Sequence, residues 1–373
     1  SGDHGVDVFF VLSGFLITTL LLNEHRLSGH ISLSRFYVRR VLRLYPVVLL
    51  LLAVGAFVII VDPSFPTAPH WSGLAATSFY YANWFHGVNP VAMGFLAPTW
   101  SLAIEEQFYL VWPPIVLLLI ARSRGRSGLA FLAGAGAVAA ALYRLAIWEP
   151  ALGRPARGIA GVPLANLRFH AFNDWYFNSF SRADTILVGC VLALTLTPAV
   201  VAKLKDRPAL VTRLMWLATL IAVYICLRET ILGGRKEDAP GARYGNSDFV
   251  PIWGLAVFEV CVALVILGLV VLPGSRMASV LSNRALVWTG RRSYALYVLH
   301  TPIFDTFDHF RVVHGYYLPM VVKLIASFVA AALSYRLIEA PVLRLKDRYA
   351  GRLASRRDAP ASLPADALSN QRV

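Results

Sequence analysis

Long apolar runs, separated by short basic clusters, recur along most of the chain. A transmembrane helix needs ~20 apolar residues, and these runs approach or reach that length. The ~10-residue alternating segments typical of a membrane β-barrel are absent from the sequence. We therefore predict an all-α fold, a polytopic transmembrane helical bundle of about nine spans. The spans lie at about 6–23, 44–62, 99–121, 129–148, 181–202, 214–232, 251–272, 293–308 and 317–338.

One further stretch, LAATSFYYANWF at 74–85, is too short and too polar to cross a bilayer easily. Irregular backbone inside a membrane must have its polar groups satisfied by protein, so we predict a re-entrant or interfacial helix here. Aromatic side chains favour the headgroup level, and we expect Tyr80, Tyr81 and Trp84 to anchor this helix there.

The basic clusters predict how the spans are oriented. Basic residues concentrate in cytoplasmic loops, so all five clusters should face the cytoplasm. The first span then runs from outside to inside, and we expect one more helix before residue 1, which would make ten. The clusters extend over 26–43, 122–126, 203–213, 276–292 and 344–357.

Composition agrees with an integral membrane protein. The chain is 57% hydrophobic, above the ~45–50% of soluble domains. Its formal charge of +14 would suggest nucleic acid in a soluble protein, but the basic residues lie between apolar runs, so membrane lipid and not nucleic acid is the expected partner. Three scattered cysteines in apolar surroundings predict neither disulfides nor a metal site. We expect one transmembrane domain over 1–345 and a disordered cytoplasmic tail over 346–373.

Two adjacent carboxylates, Glu105 and Glu106, lie inside the apolar span 99–121. An ionisable residue within a membrane is a functional candidate by default, although a structural ion pair is the alternative. Neighbouring helix positions point about 100° apart, so we expect only Glu105 to face a cavity. Side chains suited to holding a polar ligand surround it: Trp100, Ser101, Phe108 and Tyr109.

Three arginines in FYVRRVLRLYP, 36–46, lie at the predicted cytoplasmic end of the second span. Spacings of three and four residues put Arg39 or Arg40 on the same helix face as Arg43. Such a pair of guanidinium groups suits a phosphate-bearing ligand, and ordinary cytoplasmic loop arginines are the alternative. The sequence has no glycine-rich phosphate loop of the Walker type, which disfavours nucleoside triphosphate hydrolysis.

Polar groups also interrupt three other apolar spans, and each has a structural alternative. Gly5 and Gly14 in the first span permit close helix approach. The candidates are Asp7 and Ser13 in the first span, Arg182 and Asp184 in the fifth, and Tyr297 and His300 in the eighth. As structural alternatives, Asp7 can be solvated near the outer interface, and Arg182 and Asp184 can pair or reach the interface. An intramembrane histidine such as His300 is often a hydrogen-bonded core residue. Near 336–339, Arg336 and Glu339 favour a structural ion pair.

Six motifs, in order, resemble the membrane-bound acyltransferase 3 family of bacteria over about residues 4–345. They are GVDVFFVLSGFLI, RFYVRRVLRLYP, TWSLAIEEQFYLVWP, RADTILVGCVLA, SYALYVLHTPI and SYRLIEAP. The resemblance implies a multi-pass protein of the bacterial cytoplasmic membrane. It also implies transfer of an acyl group, usually acetyl, from cytoplasmic acyl-CoA to a hydroxyl of an extracytoplasmic glycan or glycolipid. Acyl-CoA would be the donor substrate, and no bound cofactor is implied.

The resemblance also implies residue roles. Arg39, Arg40 and Arg43 would contact the CoA phosphates, and Glu105 would be the essential glutamate of the WSLxxE motif. Family members normally begin with a helix carrying a histidine regarded as catalytic, and His4 does not occupy its place. If that histidine is the required base, the chain as printed is a truncated, inactive form.

An acyl transfer needs a base for the acceptor hydroxyl and a donor for the tetrahedral oxygen. Glu105 is the strongest candidate base in this chain, with His300 and Tyr109 as further catalytic candidates. Arg182, Tyr109 and Tyr297 are candidate oxyanion donors. The outer loop 166–178, with Asn166, Asn173, Asp174 and Asn178 among aromatics, suits either sugar contact or an interfacial aromatic belt. The alternatives are a carbohydrate or lipid exporter without covalent chemistry and a non-catalytic sensor or scaffold.

Overall fold

The computed structural model describes residues 3–62, 64–121, 125–152, 176–233, 253–310 and 317–344. Within those ranges the chain is almost entirely helical and contains no strand. The predicted tail and most of the predicted sugar-contact loop lie outside the described residues. The helices are α1 (Asp3–Ser28), α2 (Leu33–Val61), α3 (Trp71–Ser78), α4 (Ala82–Val88), α5 (Pro90–Met93), α6 (Thr99–Ala121), α7 (Gly125–Leu152), α8 (Ala183–Thr195), α9 (Pro198–Lys205), α10 (Pro208–Gly233), α11 (Leu255–Val271), α12 (Arg276–Leu281), α13 (Arg284–His309) and α14 (Tyr317–Ser334), which a π-helical turn at Tyr335–Glu339 continues.

Helix length and hydropathy confirm the all-α, polytopic fold. Six helices are long and apolar enough to cross a membrane: α1, α2, α6, α7, α10 and α14. The bent pair α8 and α9 raises that number to seven if the two helices form one span, and α11 is a shorter apolar helix. The chain is thus a multi-pass membrane protein, and the total of nine spans stays a prediction.

The predicted continuous span at 181–202 is wrong, because the helix breaks between α8 and α9. α8 ends at Thr195, and the two helix axes meet at 82°. Pro198 begins α9, where its missing N–H is tolerated. The Thr197 hydroxyl accepts a hydrogen bond from the Val200 N–H at 3.2 Å and caps the new helix. A Thr-Pro pair therefore starts a second helix in a new direction.

The stretch predicted as one short helix forms two, α3 and α4. Between them Tyr80 has a φ of 54°, in the left-handed region that side chains rarely adopt. The Gln107 side chain on α6 donates to the Tyr80 carbonyl at 2.9 Å and to the Asn83 side chain at 2.9 Å. These bonds hold the turn against α6, while Tyr81 and Trp84 are exposed, as an interfacial segment requires.

Helix α6 lies between two parts of the hydrophobic core. Ile104 and Trp112 pack with α1, α7 and α8, whereas Leu102 and Ala103 pack with α2 and α13. Trp112 also donates its indole N–H to the Thr18 hydroxyl of α1 at 2.9 Å. Because α6 carries both core faces, its polar residues are held at fixed positions between α1, α2 and α13.

Helices α1 and α8 are in backbone contact at two glycines. A Cβ atom at Gly14 would lie 1.9 Å from the Ile186 carbonyl oxygen, and one at Gly189 would lie 2.0 Å from the Val11 carbonyl oxygen. The predicted close approach at Gly14 is confirmed. The same prediction is wrong for Gly5, because nothing lies within 4 Å of its Cβ position, and Gly5 lines a cavity instead.

We expect Gly189→Ala to destabilise the protein, because an added methyl group cannot fit against a backbone carbonyl. Overpacking typically costs ~1–3 kcal/mol, and a rigid neighbour gives a value at the upper end or beyond. Gly134→Ala is the matched control, since its nearest neighbour, a Val191 methyl, lies 4.0 Å away. Melting temperatures of both variants in detergent test this expectation. Equal melting temperatures would contradict the backbone contact.

Candidate active site

Glu105 is buried between α6 and α1 and is 2% exposed. Its carboxylate accepts a hydrogen bond from the Ser13 hydroxyl of α1. Tyr109, one turn further along α6, donates to the same carboxylate oxygen at 3.1 Å. Two hydroxyl donors therefore converge on one buried oxygen, which is the compensation that a buried carboxylate requires.

Arg40 of α2 completes this cluster from a third helix. Its guanidinium carbon lies 3.3 Å from the centre of the Tyr109 ring, a cation–π contact. Its Nε lies 3.6 Å from a carboxylate oxygen of Glu106. The two glutamates thus point in different directions, as predicted from helix geometry: Glu105 towards α1 and Glu106 towards α2.

The three arginines of the predicted double guanidinium fork on α2 have different neighbours in the described structure. Arg39 lies 3.3 Å from the Glu24 carboxylate of α1, and Arg40 belongs to the glutamate cluster. Arg43 is exposed, and its charge acts on Glu339 of the π-helical turn. Each arginine therefore acts on a carboxylate from a different part of the chain, and a fork closed on a bound phosphate stays a prediction.

A cavity of about 420 Å³ lies between α1, α6, α13 and α14. Its walls are mostly apolar, with the hydroxyl groups of Ser101 and Tyr297 and the imidazole of His300 among the lining groups. The Tyr297 hydroxyl lies 2.7 Å from the Ser101 hydroxyl and donates to the Pro98 carbonyl at 2.9 Å. The cavity therefore has a hydrogen-bonded polar wall in apolar surroundings, the usual character of a small-molecule site.

The hydrogen bonds of His300 define which ring nitrogen carries a proton. Its Nδ1 lies 2.6 Å from the Tyr297 carbonyl oxygen, which can only accept. Nδ1 must therefore hold the proton in the neutral ring, and Nε2 keeps its lone pair, 3.3 Å from the Thr301 hydroxyl. A lone pair on a cavity wall can take a proton from a bound hydroxyl group.

The prediction that Glu105 faces a cavity is wrong for the described cavities, because Glu105 lies close to this one without lining it. Ser101 precedes it by four residues on α6, so the two side chains share a helix face and lie about 6 Å apart along the axis. Trp100 points elsewhere: it is buried against the rings of Phe10 and Tyr176. The polar wall of the cavity and the glutamate cluster therefore lie one helical turn apart on α6.

A third polar group holds α1, α7, α8 and α11 together. Asp7 forms a buried ion pair with Arg182 and also contacts His4 at 3.2 Å, and Asp184 forms a buried ion pair with Arg144. These groups are almost fully buried and lie outside the lining of the described cavities. Breaking a buried ion pair costs several kcal/mol of folding stability, so this group stabilises the packing of these helices.

Sequence reasoning missed two members of this third group. Arg144 lies in the apolar segment ALYRLAIW, and Glu259 of α11, which accepts a hydrogen bond from Thr185 at 2.6 Å, lies in AVFEVCVA. A single charge within a membrane span is itself a signal of a buried partner, and it was sufficient to find both. The predicted pair of Arg336 and Glu339 is also wrong. The π-helical turn leaves Arg336 exposed and Glu339 buried.

Comparison with known proteins identifies the family of this site. The Acyltransferase domain of the acyltransferase 3 family matches residues 2–337. The chain belongs to the acyltransferase 3 family. A Staphylococcus aureus protein of strain COL, provisionally named an O-acetyltransferase, is 30% identical over 362 residues, with 91% of this chain and 52% of the relative covered. O-acetyltransferase OatA of S. aureus strain NCTC 8325 / PS 47 is 30% identical over 357 residues, with the same coverage.

This member of the acyltransferase 3 family spans about half the length of the curated relatives it matches. No solved structure matches it. Among the described residues suggested as oxyanion donors, Tyr297 lines the cavity. Tyr109 is bonded to Glu105, and Arg182 is paired with Asp7.

Proposed function

We propose that this chain is the membrane domain of an O-acyltransferase. The enzyme would move an acyl group, acetyl in the simplest case, from acyl-CoA to a hydroxyl of an extracytoplasmic glycan or glycolipid. The observation that carries the proposal is the cavity wall formed by Ser101, Tyr297 and His300, one helical turn from the buried Glu105. The names of the S. aureus relatives support an O-acetyl transfer.

The chemistry follows from the groups on that wall. The acceptor hydroxyl oxygen attacks the thioester carbonyl carbon while its proton passes to Nε2 of His300. The carbonyl oxygen becomes negatively charged, and the Tyr297 hydroxyl can donate to it once its single O–H turns away from the Pro98 carbonyl. The carbon–sulfur bond then breaks, the CoA thiolate takes the proton, and the products are an O-acyl ester and free CoA. General base assistance of this kind typically accelerates a reaction roughly 10²–10⁴-fold.

Glu105 supports this step without touching the substrate in the described geometry. Its charge balances Arg40, and its oxygen orders the hydroxyls of Ser13 and Tyr109. These contacts join α1, α2 and α6 one helical turn from the cavity. Loss of the charge would leave Arg40 with Glu106 alone and disturb the packing that aligns Ser101. We propose that Glu105 is essential for this reason.

Charge distribution supports a donor and an acceptor on opposite faces. Basic clusters at the predicted cytoplasmic ends suit the anionic acyl-CoA. The cavity lies towards the predicted outer half, because its lining residues Gly5 and Ser101 are in the first turns of α1 and α6. We propose a location in the bacterial cytoplasmic membrane, with membrane lipid, acyl-CoA and an envelope glycan or glycolipid as partners. Such an enzyme needs no bound cofactor for this reaction.

The test is transfer of label from radiolabelled acetyl-CoA into cell-envelope carbohydrate, using membranes that carry the protein. We expect label in an alkali-labile ester and release of one CoA for each ester formed. Membranes from a strain without the gene are the control. Movement of carbohydrate across the membrane without acetyl-CoA consumption would contradict the proposal and favour an exporter.

A further inference from the structure

Two cavities follow one another along α13. The first, of about 350 Å³, is lined by residues from the beginning of the helix, and the second is the cavity of His300 and Tyr297. Trp288 of the first stacks on Phe328 of the second, with ring centres 6.4 Å apart. The two cavities therefore adjoin. The first is lined by Ser282, Arg284, Val287, Trp288, Arg291, Arg292 and Tyr335.

The first cavity, which we call the arginine cavity, differs from the second in its charge. Three of its seven lining residues are arginines, and none is acidic. Its position at the start of α13 also places it at the positive end of a long helix dipole. An anion entering this space would meet several guanidinium groups, which bind phosphate oxygens in a planar, two-pronged geometry.

The arginines of this cavity have different local roles. Arg292 is held by cation–π contacts, 4.1 Å from the Trp288 ring centre and 4.7 Å from that of Tyr335. Its charge also acts on the buried Glu339, together with that of Arg43. In the described part of the chain, the exposed side chains of Arg284 and Arg291 form no ion pair. Those two guanidinium groups are available to an incoming anion.

The second cavity continues the first with a change of polarity. Along α13 the lining residues pass from Arg291 and Arg292 to Tyr294 and Leu296, and then to His300. The Tyr294 hydroxyl donates to the Leu44 carbonyl at 3.0 Å, so α2 with Arg43 lies beside the same boundary. A ligand that is anionic at one end and neutral at the other matches this order.

We propose that the arginine cavity binds the phosphate groups of the acyl-CoA donor, with Arg284 and Arg291 as their ligands. This inference rests on the proposed function. The nucleotide phosphates would lie at the start of α13, and the neutral pantetheine arm would extend past Tyr294 towards His300. Arg39 and Arg40 already have glutamate partners, which makes Arg284 and Arg291 the better candidates for this ligand.

A phospholipid headgroup has similar phosphate chemistry, and the adjoining cavity favours CoA. A lipid bound through its phosphate would direct its acyl chains towards the bilayer. The second cavity instead continues into the interior, to the hydroxyl and imidazole groups of the candidate active site. The experiment distinguishes these two sources.

The experiment measures equilibrium binding of radiolabelled CoA to the purified protein in detergent. We expect Arg291→Gln and Arg284→Gln each to raise the Kd for CoA about 10-fold, as loss of a charge-assisted hydrogen bond typically does. Arg213→Gln is the matched control, an exposed arginine on α10 in another predicted cytoplasmic cluster. Arg291→Lys should retain much of the affinity, and unchanged melting temperatures show that the variants are folded.

An unchanged Kd for CoA in both glutamine variants would overturn the inference. If those variants also lose co-purifying phosphatidylglycerol, the cavity is a lipid site instead. If the wild-type protein transfers acetyl and the variants bind CoA normally, this inference alone fails. If the wild-type protein binds no CoA, the proposed donor fails as well.

Discussion

Replacing Glu105 with Gln is expected to abolish acyl transfer while the protein stays folded. Gln keeps the size of the side chain and an oxygen that can accept from Ser13 and Tyr109. It removes the negative charge beside Arg40 in a buried site, where water cannot replace it. Loss of preorganised electrostatics of this kind costs roughly 100-fold or more in rate. The measurement is initial rate of label transfer from acetyl-CoA, with the melting temperature as the test of folding.

The neighbouring carboxylate provides the control for this variant. Glu106→Gln removes the same charge one position later, but Glu106 faces α2 and contacts Arg40 at 3.6 Å. We expect a smaller loss, about 10-fold at most, because one partly exposed ion pair is worth little. Normal transfer by Glu105→Gln would remove Glu105 from the mechanism. Equal losses of transfer rate in both variants would mean that the rate depends on the total negative charge near Arg40 and not on the position of Glu105.

Replacing His300 with Asn should lower the transfer rate by roughly 10²–10⁴-fold, the usual contribution of a general base. The Asn amide can still donate to the Tyr297 carbonyl, as Nδ1 does in the native ring. It has no nitrogen lone pair to take a proton at the position of Nε2. Single-turnover rates and CoA binding, measured together, separate a lost base from lost donor binding.

The control for His300 lies on the same helix. His309 is near the end of α13, 3.4 Å from Asp62, and it does not line the described cavities. His309→Asn is expected to leave the transfer rate within about 2-fold of the native value, as most substitutions away from a site do. A rate for His300→Asn near that of the native protein would assign His300 to the core and require another base.

The fold and part of the site follow from local sequence patterns. Apolar runs identify the spanning helices, and the 100° step between neighbours separates the directions of Glu105 and Glu106. The break in the fifth span was also readable, since Pro198 after Thr197 is a helix start signal. Hydrophobic periodicity and helix start signals extend over only a few residues, so they can be read from a single sequence.

The rest depends on contacts between distant parts of the chain. Spacing alone placed Arg39 with Arg43, but Arg39 pairs with Glu24 of α1, whereas the charge of Arg43 acts on Glu339. Tyr297 and His300 were recognised, whereas the cavity beside them needs α1, α6, α13 and α14 together. The arginine cavity likewise looks in sequence like an ordinary cytoplasmic cluster. Such surfaces arise only when helices pack.

The 82° break after α8 has a consequence for the membrane itself. α8 has 13 residues and rises about 20 Å, whereas the hydrocarbon core of a bilayer is ~30 Å thick. If α9 lies along the membrane surface with Lys203 and Lys205 at the headgroups, the other end of α8 falls short of the far surface. We therefore expect thinned lipid or water-filled protein above that end of α8, and either arrangement shortens the path between the two aqueous phases.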